Sequence, residues 1–384
     1  MRSDLSSTAI VCTLSSYNGR VEPMDVIVGG AGIIGLSAAL ELSRSGFRVR
    51  VLEKGRAMGE ASWAAAGMLS AHDPDHPPEL ADLAELSIRL YPEYLRRIEE
   101  LSGCSVPLRT LASLVSGESN GHSTPLSAEE AERRLPGLKT KGRSFFWMEE
   151  ISLDPRDLCA ALPRAVAAAG VDLQEGTEVL SVESHAGFVE VNTGNGAMRA
   201  GAFVNCCGAW SGQVEHPGLQ RQPAAGVGPW KGQIFKVIVD PPIDLPYVLR
   251  TPEVYLVPRG HGEIVIGSTV EQVGFDRRVD PEIVESLLAQ AADVWPPIES
   301  GRVAETWAGL RPGTRDGLPV IGRAEGTAGE TGGASPGQPR SWVWVATGHF
   351  RNGILLAPAT GVIVRELLQG ETPSVSLAAF RPGR

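Results

Sequence analysis

A chain of 384 residues with 42% hydrophobic and 21% charged residues has the composition of an ordinary globular protein, long enough for about two or three domains. Its formal net charge of −10 and pI of about 5.3 argue against nucleic acid or an anionic membrane as the main partner. The five cysteines are irregularly spaced and include no CxxC pair, which indicates a reducing compartment, the cytoplasm, rather than a disulfide framework.

The first 23 residues differ from the rest of the chain because they are rich in serine and threonine. Their apolar run, residues 9–14, is too short for the hydrophobic region of a signal peptide. We therefore expect residues 1–23 to be a disordered extension, with Met24 as an alternative start.

Residues 24–53 show the pattern of a strand, a glycine-rich turn, a helix and a second strand. Residues 25–28 and 47–52 are apolar runs suited to buried parallel strands. Between them, a GxGxxG sequence leads into a helical pattern over 36–45, and Glu53 follows the second strand. This order is typical of a dinucleotide-binding βαβ unit, whereas an ordinary buried strand, turn and helix would leave Glu53 without a role.

The glycines of this turn have separate physical roles. Gly30 permits the tight turn, Gly32 lets the backbone approach a pyrophosphate, and Gly35 lets helix and strand pack closely. The backbone N–H groups at the helix start then face the phosphates. Glu53 suits an acceptor role toward an adenosine ribose.

Residues 54–71 are small, punctuated by glycine and nearly uncharged after their start, which suits a loop against a flat ligand or a tightly packed core crossover. The run of strands and a helix over 227–304 indicates a separate antiparallel domain. Helical patterns occur at 78–101, 127–135, 153–169 and 281–295, and extended patterns at 171–175, 178–182, 187–192, 197–204, 233–239, 254–258 and 263–269.

Residues 324–340 are rich in glycine and polar side chains and predict a flexible loop. A final buried strand is expected over 342–347, and a helix over 354–369 with an early interruption at Pro358. The sequence GHFRNG lies between them. A loop just before a helix start presents backbone N–H groups and the positive end of the helix dipole.

The glycine-rich turn does not distinguish a nicotinamide from a flavin cofactor. Further stretches resemble the D-amino-acid oxidase and sarcosine oxidase family of FAD-dependent oxidoreductases, in particular its glycine oxidases. They are SWAAAGMLSA at 62–71, GAWSG at 208–212, YLVPR at 255–259, WAGLRPGTRDGLPVIG at 307–322 and TGHFRNGILLAPATG at 347–361. The resemblance covers the chain from Met24 to its end, apart from residues 324–340.

This resemblance implies an α/β fold (α+β overall) in which a Rossmann-like FAD-binding domain is assembled from residues 24–103, 151–226 and 305–384. A second, mainly antiparallel β substrate domain would comprise residues 104–150 and 227–304 and cover the flavin face. The resemblance also implies a homotetramer.

The cofactor implied is FAD, bound non-covalently because residues 307–322 contain no cysteine where sarcosine oxidases carry their flavin link. The loop before the last helix, aimed at the flavin N1/O2 edge, would make FAD a better hydride acceptor, although Gly353 could be only a helix entry. The resemblance places these residues around FAD: Gly30, Gly32, Ile33, Ile34, Gly35, Glu53, Lys54, Ser62, Ala65, Ala66, Gly67, Met68, Val179, Gly208, Trp210, His349, Arg351, Asn352, Gly353 and Ile354.

Binding of an amino-acid carboxylate requires a fixed cation. Arg311, expected at a strand end, is the best candidate because a guanidinium binds a carboxylate through two parallel hydrogen bonds. The resemblance assigns Arg311 this role, places Tyr255 beside it as a hydroxyl donor, and adds positive field from Arg351. Each arginine is alternatively a surface or salt-bridging residue, with Asp316 as a partner for Arg311 or Arg315.

The activity implied is oxidative deamination of glycine, N-methylglycine or a small D-amino acid by hydride transfer to flavin N5. Oxygen would then reoxidise the flavin to give H2O2, and the imine would serve the thiazole of thiamine. The substrate enters with a neutral amine, so no general base is obligatory. The main alternative is a D-amino-acid or secondary-amine dehydrogenase that passes electrons to a quinone or protein acceptor. A non-catalytic flavoprotein and an NAD-dependent dehydrogenase are further alternatives.

Two residues depart from the glycine oxidase pattern. Glu253 stands where that pattern has a histidine two residues before the tyrosine, and Val270 replaces a pocket methionine. An additional carboxylate near the site would attract a substrate amine or disfavour a carboxylate, which leaves the preferred substrate open. The sequence shows no cluster of metal ligands.

Overall fold

The computed structural model describes residues 24–117, 121–185, 187–219, 221–243, 245–324 and 342–384. The extension expected over 1–23 lies outside these residues, as does the loop expected over 324–340 except for Ala324. Within the described ranges, no helix is both long enough and apolar enough to cross a membrane.

The helices and strands follow the chain in mixed order. The α-helices are α1 Ile33–Arg44, α2 Ala61–Ala64, α3 Ala81–Ser102, α4 Ala128–Arg134, α5 Pro155–Ala168, α6 Pro281–Val294 and α7 Gly353–Gln369. The strands are β1 Met24–Gly29, β2 Val49–Glu53, β3 Met68–Leu69, β4 Leu108–Thr110, β5 Ser113–Ser116, β6 Thr124–Leu126, β7 Phe145–Met148, β8 Ile151–Leu153, β9 Asp172–Glu175, β10 Val179–His185, β11 Phe188–Thr193, β12 Gly196–Asn205, β13 Gly228–Val239, β14 Val248–Arg250, β15 Tyr255–Gly260, β16 Glu263–Gly267, β17 Gly301–Gly313, β18 Val320–Arg323 and β19 Val343–Thr347.

The first sheet has β1 at its centre, parallel to β12 on one side and to β2 on the other. Its order is β10-β11-β12-β1-β2-β9, with β19 beside β12 and β18 beside β19. Both faces of β1 are covered: Val28 packs in the core formed by α1, α3, α5 and α7, and Ile27 packs with Phe203 on the other face. This explains the continuous apolar run of the strand and confirms the Rossmann-like part of the predicted fold.

Helix starts follow local sequence. Asp154 and Asp280 cap the N-termini of α5 and α6 by accepting a hydrogen bond from the backbone N–H two residues later, and a proline occupies the first position of each helix. Ser127 Oγ accepts from the N–H of Glu130 at 3.1 Å, which confirms the helix start predicted there.

The expected interruption of the last helix at Pro358 is wrong, because α7 continues through this residue. Proline cannot donate to the carbonyl of the residue four positions earlier, which here is Ile354. Tyr91 of α3 supplies the missing donor, since its hydroxyl lies 2.5 Å from the Ile354 carbonyl oxygen. Ser87 Oγ donates in the same way to the next carbonyl, that of Leu355, at 2.5 Å. Packing of α3 against α7 therefore compensates the proline.

The second sheet is mainly antiparallel and has the order β17-β13-β16-β15-β14-β5-β7-β6. One face packs α4 and α6 against a core that includes Phe235, Leu256 and Trp295. The long strand β17 lies at the edge of the sheet, which is why Pro312 is tolerated near its end. Strands β3, β8 and β4 form a small third sheet, in the order β3-β8-β4.

We propose that these two large sheets are the cores of the two domains expected from the sequence. The first sheet takes its strands from residues 24–53, 172–205 and 320–347, and the second from 113–148, 228–267 and 301–313. Strand β17 crosses the boundary expected at residue 305, so the chain passes between the proposed domains without a loop at that point.

A buried histidine next to the first sheet leads to a prediction about acid stability. His216 is 1% exposed, neither ring nitrogen has a hydrogen-bond partner among the described residues, and burial lowers its pKa to about 4. In the unfolded chain a histidine titrates near 6.5. Between these two pKa values the unfolded state therefore binds a proton that the folded state does not bind. The stabilisation present above pH 6.5 is lost as the pH falls toward 4.

Lowering the pH from 7 to 5 should accordingly cost about 2 kcal/mol of unfolding free energy through His216 alone. His216→Leu should remove that part of the pH dependence. Urea unfolding of both proteins at pH 7 and pH 5 measures the pH dependence of the unfolding free energy. The same experiment at pH 8 measures how far the substitution changes stability through packing alone. An identical pH dependence in the two proteins would contradict the prediction.

Candidate cofactor and substrate site

A cavity of about 670 Å³ lies between the two large sheets. Its wall is built by the carboxyl ends of β1 and β2, by β10, and by residues of β13, β15 and β17 from the second sheet. Ligands of open α/β sheets bind outside the carboxyl ends of the strands, so the position agrees with the fold.

The glycine-rich turn forms one end of the cavity. Gly30 has φ +93°, and a Cβ atom there would lie 2.4 Å from the carbonyl oxygen of Cys206. A Cβ atom on Gly35 would lie 2.0 Å from the carbonyl oxygen of Gly30, so Gly35 acts through close packing and does not line the cavity. Gly32 lines the cavity directly, at the start of α1.

Two side chains hold the start of α1 in place. Glu53 accepts hydrogen bonds from the N–H of Ala31 and of Gly55, each at 2.8 Å. Ser62 Oγ accepts from the N–H of Ile33 at 2.9 Å. Both side chains line the cavity. The carboxylate and the hydroxyl thus lie at the positive end of α1, where a pyrophosphate and its ribose would bind.

The same end of the cavity carries a cation on an aromatic ring. Lys54 Nζ lies 3.5 Å from the centre of the Trp210 ring, and Trp210 in turn stacks on Phe275 at 5.3 Å. Burial lowers the pKa of Lys54. Val179 and Gly208 complete this part of the wall. Since Phe275 follows β16, the second sheet reaches over this end of the site.

Residues 65–68, the small-residue loop, run along the middle of the cavity wall. Gly67 has φ +83°, and a Cβ atom there would lie 2.1 Å from the carbonyl oxygen of Leu153. The loop is therefore pressed against β8 on its outer side and exposes Ala65, Ala66 and Met68 to the cavity. This favours the ligand-contacting interpretation of the small side chains over a closed core crossover.

The GHFRNG loop lines the cavity where α7 begins at Gly353. His349 is buried, its Nε2 is 3.0 Å from Thr360 Oγ1, and its Nδ1 has no partner among the described residues. Burial lowers the pKa of His349 to about 3, so the ring is neutral. Ile354 completes this wall. The loop thus offers the cavity the positive end of α7.

Arg311 enters the cavity from β17. Its Nη1 donates to the Thr269 carbonyl at 3.0 Å and its Nη2 to Ser268 Oγ at 2.7 Å, which leaves its other N–H groups for a ligand. Burial lowers the pKa of Arg311, but an arginine remains charged. Tyr255 lies beside it in the cavity wall. Asp316, the alternative partner, pairs with Arg384 at 2.9 Å instead.

The other two arginines in the wall are paired. Arg351 Nη1 lies 3.4 Å from Asp75, and Arg250 lies 2.7 Å from Asp73 and 3.3 Å from Glu150. Arg311 has no carboxylate at salt-bridge distance in the described ranges. It is the arginine with charge available to an anion.

The charged cluster around Arg250 was not predicted from the sequence. His76 links it to the GHFRNG loop, since its Nε2 lies 2.9 Å from Asn352 Oδ1 and 3.9 Å from Asp73. Burial lowers the pKa of His76. The run HDPDH at 72–76 was a visible concentration of polar residues, but nothing in it indicated a partner on β14.

The two departures from the family pattern both line the cavity. Glu253 lies 3.3 Å from Arg143 and is half exposed, so its charge is compensated. Val270 is 50% exposed. They lie toward solvent, and neither leaves an uncompensated charge beside Arg311.

The structure brings the predicted site residues together. All of them line this one cavity except Gly35, which supports the turn from behind.

Cys206 and Cys207 are free thiols at the glycine-rich end of the cavity. Among the described residues no cluster could hold a metal ion.

The residues present fit FAD. The turn at Gly30 has no room for a side chain, Gly32 lines the cavity without one, and a helix start, a carboxylate and a hydroxyl face that end. At the other end, the start of α7 and the unpartnered Nδ1 of His349 suit the polar edge of a flavin ring.

Comparison with known proteins agrees with this fit. The model of the FAD dependent oxidoreductase family, DAO, matches residues 25–367. Glycine oxidase of Pseudomonas aeruginosa is 33% identical over 376 residues, covering 93% of this chain and 98% of that protein. The bifunctional protein ThiO/ThiG of Synechocystis is 32% identical and covers 94% of this chain and 54% of that protein.

Among solved structures, glycine oxidase from Geobacillus kaustophilus matches with a TM-score of 0.85 and 31% identity, covering 95% of this chain and 99% of that one. The agreement therefore extends from the nucleotide-binding turn to the last helix. The chain belongs to the DAO family of FAD-dependent oxidoreductases, and FAD is its cofactor.

Proposed function

We propose that this oxidoreductase deaminates glycine, N-methylglycine or a small D-amino acid. The observation that carries the proposal is Arg311, a partly buried guanidinium in the cavity wall with no carboxylate at salt-bridge distance among the described residues. A buried charge is costly unless an anion or hydrogen-bond acceptors compensate it. The carboxylate of an amino acid supplies such an anion.

FAD, when bound, would supply the acceptor for a hydride from the α-carbon of the substrate. The chain's own contribution is orientation. Arg311 would hold the carboxylate through its remaining N–H groups, and the Tyr255 hydroxyl would donate to the same group. Because the reaction uses no protein nucleophile, holding the substrate in one geometry would account for a large part of the reduction in the activation barrier.

Several finer features belong to this proposal. FAD is bound non-covalently, O2 takes up the electrons, and H2O2 is formed. Similarity to a bifunctional ThiO/ThiG protein supports a role of the imine product in making the thiazole of thiamine. The homotetramer and the cytoplasmic location stay predictions.

The purified protein with its flavin tests the proposal by visible spectroscopy. Without oxygen, glycine, N-methylglycine or D-alanine should bleach the flavin bands, and admission of air should restore them with one H2O2 per turnover. Failure of every small amino acid to bleach bound flavin would contradict the proposal. Bleaching followed by slow recovery in air, but fast recovery with a quinone, would favour the dehydrogenase alternative.

Gly232 gives a prediction that tests Arg311 without changing it. A Cβ atom on Gly232 would lie 2.1 Å from Arg311 Nη1, so Gly232→Ala must displace the guanidinium. We expect kcat/KM for the substrate to fall roughly 100-fold, about 3 kcal/mol, with FAD still bound.

Gly228→Ala is the matched control, because it lies on the same strand and a Cβ atom there has no heavy atom within 4 Å. We expect it to keep the activity of the unchanged protein. Steady-state kinetics and the FAD content of both variants decide the question, and equal activities in the two variants would contradict the role of Arg311.

A further inference from the structure

Three hydrogen bonds to backbone carbonyls hold the small-residue loop and Ala64, the residue just before it, from outside the cavity. Trp307 Nε1 donates to the carbonyl of Ala64 at 3.1 Å, and the N–H of Leu153 donates to that of Gly67 at 3.0 Å. The shortest of the three comes from Arg259, whose Nη2 donates to the Ala66 carbonyl at 2.6 Å. Arg259 and Trp307 belong to the second sheet, so that sheet sets the position of the loop.

Arg259 is a cation buried behind this loop. It is 8% exposed, and its Nε lies 3.3 Å from Oδ2 of Asp154. The other oxygen of Asp154 caps α5 by accepting from the N–H of Arg156 at 3.0 Å. Burial lowers the pKa of Arg259 and Asp154 counteracts this, but an arginine keeps its charge.

The geometry of this ion pair is directional. The guanidinium donates through Nη2 to the loop carbonyl of Ala66, whereas the carboxylate pairs with Nε of Arg259 and accepts from the N–H of Arg156 at the start of α5. The region is buried, and charges act over longer distances there than in water. The positive charge therefore lies nearer to the cavity wall at Ala66 than the negative charge that balances it.

We propose that Arg259 is a positioning residue for the flavin: it fixes the carbonyl of Ala66 and places a buried positive charge that raises the reduction potential of the bound cofactor. This rests on the proposed function to the extent that residues 65–68 lie beside the flavin ring. Reduction adds negative charge to the flavin, so a fixed cation nearby favours the reduced form.

Three substitutions in the FAD-loaded protein test the inference, with the two-electron reduction potential measured by titration against redox dyes. Arg259→Met should lower the equilibrium constant for reduction at least tenfold, which corresponds to about 30 mV. Arg259→Lys keeps the charge and should stay within roughly threefold of the unchanged protein, or about 15 mV.

Asp154→Asn should shift the potential in the opposite direction, upward, because it removes the balancing negative charge. Asparagine also caps helix N-termini well, so α5 should keep its start. The control is Arg109→Met, which removes an arginine that pairs with Asp157 of the same helix at 2.8 Å without contacting the loop. We expect no shift for the control.

A potential unchanged in Arg259→Met, or lowered equally by Arg109→Met, would overturn the inference. If Arg259→Met does not retain FAD, Asp154→Asn decides alone, and an unchanged or lower potential then overturns it. The dye titration uses no amino acid. A flavin that no amino acid reduces would therefore contradict the proposed function and leave this test valid.

Discussion

Arg311→Met is expected to lower kcat/KM for the amino-acid substrate by roughly 1,000-fold, about 4 kcal/mol, while FAD remains bound. The reason is that the Arg311 guanidinium is the positive charge available to the substrate, because the other arginines of the cavity wall are paired with carboxylates of the protein. Methionine keeps much of the volume and removes the charge. Steady-state kinetics with the best substrate measures the effect, and the visible spectrum reports retention of the flavin.

Two comparisons make this result specific. Arg311→Lys keeps a positive charge but loses the forked geometry, so we expect a smaller loss of roughly 10- to 100-fold, within the range for one charged hydrogen bond. Arg315→Met removes an exposed arginine four positions further along the chain and should leave kinetics unchanged. Activity of Arg311→Met within tenfold of the unchanged protein would rule out Arg311 as the carboxylate-binding group.

Gly30→Ala is expected to abolish stable binding of FAD, with a dissociation constant raised at least roughly 100-fold. A methyl group there would meet the backbone carbonyl of Cys206 at 2.4 Å, and backbone cannot move aside as a side chain can. Alanine also disfavours the φ of +93° that this turn requires. The FAD content after gel filtration and the affinity for added FAD measure the outcome.

Gly46→Ala distinguishes the effect of close contact from the effect of backbone strain. Gly46 has nearly the same φ, +87°, but a Cβ atom there would have no heavy atom within 4 Å. Its replacement should cost about 1 kcal/mol of stability from backbone strain and leave FAD binding intact. If Gly30→Ala bound FAD as tightly as Gly46→Ala, close contact at the turn would not be the reason for the glycine.

Local sequence patterns were sufficient to predict those elements whose stabilising contacts join residues close together in the sequence. The strand, turn and helix over 24–53, the Ser127 cap and the Asp-Pro helix starts all depend on contacts within a few residues. Pro358 shows the limit of this reasoning. The predicted interruption is wrong, because the donor that compensates the proline, Tyr91, lies 263 positions from the carbonyl that it satisfies.

The Rossmann-like start could be predicted from the sequence by itself, because glycine spacing and backbone turn chemistry are local properties. The family and the cofactor followed from the resemblance of further motifs such as TGHFRNGILLAPATG, which the family model over residues 25–367 confirms. Only the tertiary structure decided which arginine in the cavity wall has its charge available to bind a substrate anion. Arg250, Arg259 and Arg351 are as visible in the sequence as Arg311, but each is paired with a carboxylate that the fold brings to it. Electrostatic compensation depends on distance in space. The sequence could therefore nominate Arg311, but only the fold shows that it has no carboxylate at salt-bridge distance among the described residues.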